Sequence, residues 1–195
     1  MKPNLIRIAE PLAAPPLAAV EMSVRKASMT DIGDLLRLIN QYASEGIMLP
    51  RTELEMAEHI RDFTVACSGE RLAGCGALHF YSPDSAEIRS LAVVPGWKQN
   101  GIGTLIAQGL EQEARQYGLR ALFAFTYVPR FFHRLGYREV DRGDLPLKVW
   151  KDCLRCPKFN NCDETAVQKL LWVSQGIAEL GPITPQMGGE SPQKT

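Results

Sequence analysis

The side chains best suited to chemistry in this sequence lie between residues 87 and 104. Glu87 can accept a proton, and Arg89 can bind a carboxylate. Side chains alternate along a strand, so we expect one face to carry Glu87, Arg89, Leu91 and Val93. The same spacing also allows the charges of Glu87 and Arg89 to neutralise each other, so the pair alone leaves the role of Glu87 open.

A glycine-rich loop follows these residues. Gly101 and Gly103 stand between a strand that ends at Pro95 and a helical pattern that runs to Tyr117. The first amides of a helix lack intrahelical partners and carry partial positive charge, so a loop with few Cβ atoms can hold a phosphate there. Lys98 adds a full charge. The loop is not a P-loop, because no Gly-Lys-Ser/Thr follows. It is not a dinucleotide-binding fingerprint either, because that motif needs a third glycine. By themselves the glycines can also mark an ordinary turn.

Hydrophobic patterns around this loop predict the order β, α, α, β, β, β, α, β, α, β from residue 23 onward. Thr52 and Glu55 form a capping-box pattern at the start of the second helix. A short apolar segment at 147–150 follows the last strand. The predicted strands are 23–27, 63–67, 72–81, 87–94, 121–126 and 137–140, and the predicted helices begin near residues 30, 52, 102 and 129.

The composition predicts one domain between two tails, because 195 residues are enough for one full hydrophobic core. The 22 basic and 22 acidic residues cancel, so no nucleic-acid partner is expected. No apolar run reaches the length of a bilayer span and no signal segment begins the chain, so we expect a cytoplasmic protein with no membrane partner. We expect a flexible tail at 1–22, the domain at 23–165, a C-terminal helix at 166–181 and a disordered tail at 182–195.

The sequence Leu91-Ala-Val-Val-Pro, followed by Lys98-Gln-Asn-Gly-Ile-Gly, resembles the acetyl-CoA loop of the GNAT N-acetyltransferase superfamily, whose pattern is Arg/Gln-x-x-Gly-x-Gly/Ala. Lys98 keeps the charge of the usual Arg but loses its planar fork. The resemblance implies an α/β (α+β) fold, with a central mixed, splayed β-sheet flanked by helices and pantetheine in the splay. It implies that acetyl-CoA is bound by Leu91, Ala92, Val93, Lys98, Gln99, Asn100, Gly101, Ile102, Gly103 and Thr104.

Acetyl transfer to an amine needs a base, because an aliphatic amine is mostly protonated at neutral pH. The segment Glu87-Ile-x-x-Leu-Ala-Val resembles GNAT enzymes in which this carboxylate is the base. Four residues at ~3.3 Å each separate Glu87 from Leu91 by roughly 13 Å, which favours a bridging water. Backbone amides near Val93 would stabilise the thioester oxygen. In many GNAT enzymes a Tyr protonates the leaving thiolate, and this chain has Phe132 at that position. Tyr127 is a weaker candidate for the same role, so the general acid is unassigned.

Five segments look like one GNAT branch, the bacterial N-acetylglutamate synthases of arginine biosynthesis: 46–52, 74–79, 86–93, 131–137 and 145–159. The resemblance implies that L-glutamate is the acceptor and that Arg51 binds one of its carboxylates through a bidentate contact. Arg89 is a second candidate for binding a substrate carboxylate, because of its position on the same strand face as Glu87. That branch also carries Phe at the position of Phe132. We expect a short form without the kinase-like domain of classical members, which puts feedback inhibition by arginine in doubt. Homodimers are common in the superfamily, although the sequence does not fix the oligomeric state.

Three of the five cysteines, Cys153, Cys156 and Cys162, form a C-x2-C-x5-C pattern. This pattern suits a structural zinc site that lacks one ligand, which His133, Asp163 or a second chain would complete, or an iron–sulfur cluster. Three reduced thiols in a C-terminal cap are the alternative.

Two other functions fit the same motifs. One is acetylation of a different small amine or of a protein. The other is a catalytically silent module that senses acyl-CoA and uses its cysteines for redox or metal signals.

Overall fold

The computed structural model describes residues 21–145, 153–154, 156 and 158–171 of the chain. Its strands are Met22–Lys26 (β1), Phe63–Ser68 (β2), Arg71–Ser82 (β3), Ser85–Val93 (β4), Ala121–Thr126 (β5), Arg138–Glu139 (β6) and Thr165–Leu170 (β7). Its helices are Ile32–Ser44 (α1), Glu53–His59 (α2), Ile102–Gln116 (α3) and Pro129–Arg134 (α4). In this part of the chain the seven strands form one sheet in the order β1-β2-β3-β4-β5-β7-β6. Neighbouring strands are antiparallel except β4 and β5, which are parallel.

The predicted fold class is confirmed, because a mixed sheet flanked by helices forms with the predicted elements between residues 23 and 140. The start of α2 illustrates the local signals. Thr52 accepts a hydrogen bond from the Glu55 backbone at 3.2 Å, and Glu55 accepts one from the Thr52 backbone at 2.9 Å, as a capping box requires. Among the described residues, none of the helices combines the length and apolar character needed to cross a bilayer.

Helix α3 packs very closely on one face of the sheet, because β3 presents glycines to it. A Cβ on Gly74 would lie 2.8 Å from the Ala92 carbonyl oxygen and 3.0 Å from Ile106, and one on Gly76 would also lie 3.0 Å from Ile106. Helices α1 and α2 cover the opposite face with buried Leu35, Ile39 and Met56. Both faces of the central strands are therefore covered.

The parallel strands β4 and β5 stay paired for only three residues. Their ladder runs from Ser85 and Ala121 to Glu87 and Phe123. β4 then continues to Val93 without pairing with β5. The splay implied by the family resemblance is therefore present, and it begins at the predicted catalytic carboxylate.

A β-bulge in β4 makes the predicted side-chain alternation wrong. Cys75 pairs with Ala92 and Ala77 pairs with Arg89, so two residues of β4 stand opposite one residue of β3. Ser90, within the bulge, has a left-handed backbone with φ +51°. Leu91 consequently packs in the core cluster under α3, while Ala92 joins the cluster under α1 and α2.

The predicted C-terminal helix at 166–181 is wrong where the structure describes it, because residues 165–170 form β7. This strand pairs with β5 along its whole length and with β6 on its other side. The apolar spacing around Val167 and Leu170 fits a helix as well as a strand, but Leu170 is 67% exposed and the edge of β5 supplies hydrogen-bond partners. The domain therefore extends beyond the predicted limit at residue 165.

The other predicted domain boundaries can be compared with the structure only where residues are described. Met22, assigned to the N-terminal tail at 1–22, begins β1. Residues 1–20 of that tail, the apolar segment at 147–150, residues 172–181 and the tail at 182–195 lie outside the described residues.

Lys169 of β7 forms a mostly buried ion pair with Glu111 of α3. Its Nζ lies 2.6 Å from Glu111 Oε2 and also donates a hydrogen bond to the carbonyl of Leu135 at 2.7 Å. The two side chains are 21% and 10% exposed, respectively. The pair therefore links the last described strand to α3 on the sheet face.

We expect Lys169→Met to lower the free energy of unfolding by about 3 kcal/mol, because Glu111 would keep its charge in a buried position. Urea denaturation followed by circular dichroism measures this change. The double variant Lys169→Met/Glu111→Leu should be more stable than the single variant, since it leaves no uncompensated charge. A single variant at least as stable as the double would contradict this account.

Candidate active site

The divergence of β4 and β5 opens a cavity of about 1090 Å³. Its lining residues come from the end of α1 and the loop before α2, from β4 beginning at Glu87, from the turn into α3, from the end of β5 with α4, from Arg142, and from residues between 153 and 164. Predicted site residues from distant parts of the sequence therefore face one common space.

The turn between β4 and α3 has the backbone that its glycines predict. Gly101 is left-handed with φ +76°, and Gln99 also has a positive φ of +66°. This turn leads directly into Ile102, the first residue of α3, so the positive end of a long helix borders the cavity. The arrangement can hold a phosphate group.

Nine of the ten residues predicted to bind the cofactor line the cavity: Leu91, Ala92, Val93, Lys98, Gln99, Gly101, Ile102, Gly103 and Thr104. Asn100 is exposed and does not line it. Tyr42 of α1 holds this region together, because its hydroxyl donates a hydrogen bond to the Val93 carbonyl at 2.7 Å and Lys98 Nζ lies 4.9 Å from the centre of its ring.

Glu87 lies at the point where β4 and β5 part. It lines the cavity although its residue is only 9% exposed. The hydroxyl of Tyr81 donates a hydrogen bond to Glu87 Oε2 at 3.1 Å. A hydrogen bond to a carboxylate orients it and stabilises its charge. Glu87 is therefore a fixed carboxylate that can accept a proton from a molecule in the cavity.

Arg51 and Arg89 bring two guanidinium groups to the same cavity. Asn40 of α1 fixes the backbone of Arg51: it accepts a hydrogen bond from the Arg51 N–H at 2.8 Å and donates one to the Arg51 carbonyl at 3.0 Å. The Arg89 side chain is 9% exposed, and its Nη2 lies 3.9 Å from Asp62 Oδ2. The two cations make this end of the cavity suitable for a carboxylate-bearing molecule.

Tyr127 and Phe132 both line the cavity near the end of β5. Phe132 has no hydroxyl to donate. The Tyr127 hydroxyl donates a hydrogen bond to Asp163 Oδ1 at 2.9 Å and accepts one from Lys158 Nζ at 3.0 Å. Burial raises the pKa of the Tyr127 phenol. Tyr127 therefore keeps its proton in a polar network, and the general acid is not assigned to it.

The structure does not support the predicted metal site at Cys153, Cys156 and Cys162. The three thiols line the cavity wall, but among the described residues they do not form a group with metal-ligand spacing. Burial, followed by the nearby charge of Glu87, raises the pKa of the Cys153 thiol to about 11. A thiol of that pKa is protonated at neutral pH in the metal-free protein.

The sequence prediction missed Asn40, Tyr42 and Tyr81. Tyr81 carried a usable signal, because the short connection from Ser82 to Ser85 makes β3 and β4 a hairpin and brings residue 81 near Glu87. Asn40 and Tyr42 carried none, since their partners lie 11 and 51 residues away along the chain.

Comparisons with known proteins agree with this geometry. Residues 32–137 match the Acetyltransferase (GNAT) family. The chain is 41% identical over 155 residues to an uncharacterised N-acetyltransferase of Chlorobaculum tepidum, which covers 80% of this chain and 100% of that protein. The chain therefore belongs to the GNAT acetyltransferase family, and it is an acetyl-CoA-dependent acyltransferase.

Other relatives carry more specific names. The amino-acid acetyltransferase of Mycobacterium tuberculosis is 33% identical over 135 residues, which are 68% of this chain and 77% of that protein. The N-acetylglutamate synthase of Neisseria gonorrhoeae, solved with coenzyme A and N-acetyl-glutamate, superposes with a TM-score of 0.72 at 27% identity. That match covers 79% of this chain but 36% of the Neisseria chain. A Mycobacterium tuberculosis protein solved with CoA gives a TM-score of 0.67 at 28% identity, covering 77% of this chain and 99% of that one.

We expect Gly101→Ala to weaken acetyl-CoA binding at least about tenfold, or about 1.4 kcal/mol, because the turn borders the cavity. Gly118→Ala is a matched control at the other end of α3: Gly101 and Gly118 have φ values of +76° and +72°, and a Cβ on either would meet nothing within 4 Å. Both variants should lose about 1 kcal/mol of stability from the left-handed backbone. Calorimetry measures the affinities, and equal affinities would argue against a cofactor role for this turn.

Proposed function

We propose that the protein transfers the acetyl group of acetyl-CoA to the α-amine of L-glutamate. The observation that carries the proposal is the convergence of Glu87, Arg51 and Arg89 on the same cavity as the start of α3. The names of the M. tuberculosis amino-acid acetyltransferase and the N. gonorrhoeae N-acetylglutamate synthase support an amino-acid acceptor. The same proposal assigns the reaction to arginine biosynthesis in the cytoplasm.

The cofactor would enter between the separated strands. Its pyrophosphate would bind the turn from Lys98 to Thr104, where helix amides and the Lys98 charge are both available. Its pantetheine arm would run along the edge of β4 that β5 leaves unpaired beyond Glu87. The thioester would then lie on the side of the cavity that contains the Glu87 carboxylate.

The two arginines suit an acceptor with two carboxylates. Arg51 would bind one carboxylate through both of its terminal nitrogens, a contact that a planar guanidinium makes and an ammonium does not. Arg89 would bind or attract the other. Asn40 holds the Arg51 backbone in place before the acceptor arrives. Prior positioning of this kind lowers the entropy cost of binding.

Glu87 would act as the general base. Through a bridging water it would take a proton from the acceptor ammonium, and the neutral amine would attack the thioester carbonyl carbon. The new C–N bond places negative charge on the carbonyl oxygen, which backbone amides near Val93 would stabilise. The C–S bond then breaks, the nitrogen gives up its second proton to solvent, and the products are the acetylated amine and the CoA thiolate.

The CoA thiolate can leave without a dedicated acid. Phe132 has no acidic hydrogen, and the Tyr127 hydroxyl is bonded to Asp163. A thiol of pKa about 8.5 costs only about 1–2 kcal/mol when it departs unprotonated at pH 7 to 8. Solvent can therefore supply the final proton.

A steady-state assay of CoA release tests the function with a panel of amines. L-Glutamate should give a kcat/KM at least about tenfold above L-glutamine, which lacks one carboxylate, and above 4-aminobutyrate, which lacks the other. Release with glutamate no faster than with water would reject the proposal. A peptide or polyamine as the best acceptor would favour acetylation of another amine instead.

In the same assay, Arg51→Lys should raise the KM for glutamate roughly tenfold and leave the KM for acetyl-CoA unchanged, because lysine retains the charge without the fork. Arg61→Lys is the control, since Arg61 is exposed and does not line the cavity. Equal KM values for the two variants would remove Arg51 from the acceptor site.

We expect Glu87→Gln to lower kcat at least about a hundredfold while acetyl-CoA affinity stays within twofold of the original, because glutamine cannot accept the proton. Rapid mixing with acetyl-CoA and glutamate gives kcat, and calorimetry gives the affinity. Glu70→Gln, in the exposed β2–β3 turn, is the control. Full activity in Glu87→Gln would dismiss this residue as the base.

A further inference from the structure

Three side chains that the proposed reaction does not use converge beside Arg89. His59 ends α2, Asp62 lies in the 3₁₀ turn that follows, and His79 is on β3. One potential ligand atom from each residue lies within 4.8 Å of the other two. These side chains do not line the cavity, so they form a separate cluster next to it.

The distances around Asp62 are close to those of a metal site. Asp62 Oδ2 forms a hydrogen bond of 2.7 Å with His79 Nδ1, which a bound ion would replace, and lies 3.6 Å from His59 Nδ1. Zinc bonds of roughly 2.0–2.1 Å at tetrahedral angles separate neighbouring ligand atoms by about 3.3 Å. We infer that His59, Asp62 and His79 bind a divalent transition-metal ion, with Zn²⁺ as the type case.

The chemistry of the three ligands selects this class of ion. Two imidazole nitrogens and one carboxylate suit zinc and its transition-metal neighbours, whereas Mg²⁺ and Ca²⁺ prefer oxygen ligands alone. The side chains are 39%, 20% and 25% exposed, in sequence order, so an ion can enter and a water can take the fourth position. When the metal binds His79 Nδ1, the ring proton resides on Nε2.

Arg89 connects the cluster to the cavity. Its Nη2 lies 3.9 Å from Asp62 Oδ2, the same oxygen that the two histidines approach. A bound dication would therefore compete with the Arg89 guanidinium for that oxygen and repel it. His79 also pairs across the sheet with Glu87. The metal site is thus coupled to two groups that face the acceptor, although binding of the ion needs neither substrate.

Calorimetric titration of the chelator-treated full chain with Zn²⁺, in the absence of acetyl-CoA and amines, tests the inference. The sequence has three histidines. His59→Asn and His79→Asn each remove one ligand, while His133→Asn is a matched control because His133 lies beside Glu139 on another part of the surface. Cys153→Ser/Cys156→Ser removes two of the three clustered thiols as a competing site. Circular dichroism checks that each variant is folded.

We expect one equivalent of Zn²⁺ to bind the original chain, the His133 variant and the double cysteine variant with equal affinity. The His59 and His79 variants should bind at least about tenfold more weakly. Unchanged binding in both histidine variants, loss of binding in the cysteine variant, or no saturable binding to the original chain would overturn the inference. None of these results depends on which amine is acetylated.

A second measurement separates a site at Asp62 from nonspecific binding to surface histidines. Arg89→Gln should bind Zn²⁺ roughly fivefold more tightly, because the cation that competes for Asp62 is gone. Co²⁺ bound in place of Zn²⁺ should give visible absorption bands without the intense near-ultraviolet bands of thiolate ligation. Weaker Zn²⁺ binding in Arg89→Gln, or strong thiolate bands with Co²⁺, would count against the site.

Discussion

The separation of β4 from β5 is the feature on which the rest of the site depends. The two strands share hydrogen bonds only as far as Glu87 and Phe123. Beyond that pair, the facing edges of both strands need other partners, because a buried backbone amide or carbonyl without one costs about as much as a lost hydrogen bond. The separation therefore creates both the cavity and the backbone groups that an acyl-CoA molecule can use.

The bulge at Ser90 changes which side chains of β4 face each side of the sheet. The strand must carry Glu87 and Arg89 toward α1 and α2, where polar side chains from the loops can meet them. It must also place Leu91 under α3, which lies very close to the sheet because Gly74 and Gly76 have no side chains. A regular strand would put Leu91 on the same face as Glu87. The extra residue of the bulge leaves Glu87 and Arg89 on the face of α1 and α2 and turns Leu91 toward α3.

The proposed acceptor end combines a loop with residues of the sheet and of α2. Arg51 lies in a loop and is positioned by Asn40, while Arg89 and the two histidines meet at Asp62. Such loops vary more easily than the sheet, which is why one fold serves many acceptors. The cofactor side follows from family membership, whereas the proposed acceptor choice and the proposed metal site depend on individual side chains outside the cofactor loop.

The sequence by itself determined the features that depend on neighbouring residues. The capping box at Thr52, the amphipathic α1 and the glycine turn before α3 follow from local hydrogen bonding and periodicity, and so does the position of Glu87 in a strand. Only the tertiary structure decided the bulge at Ser90, the strand at 165–170, the hydrogen bond from Tyr42 to Val93 and the meeting of the two histidines at Asp62. Each of these depends on strand register or on partners distant in sequence, and local patterns do not encode which edge or side chain will be adjacent.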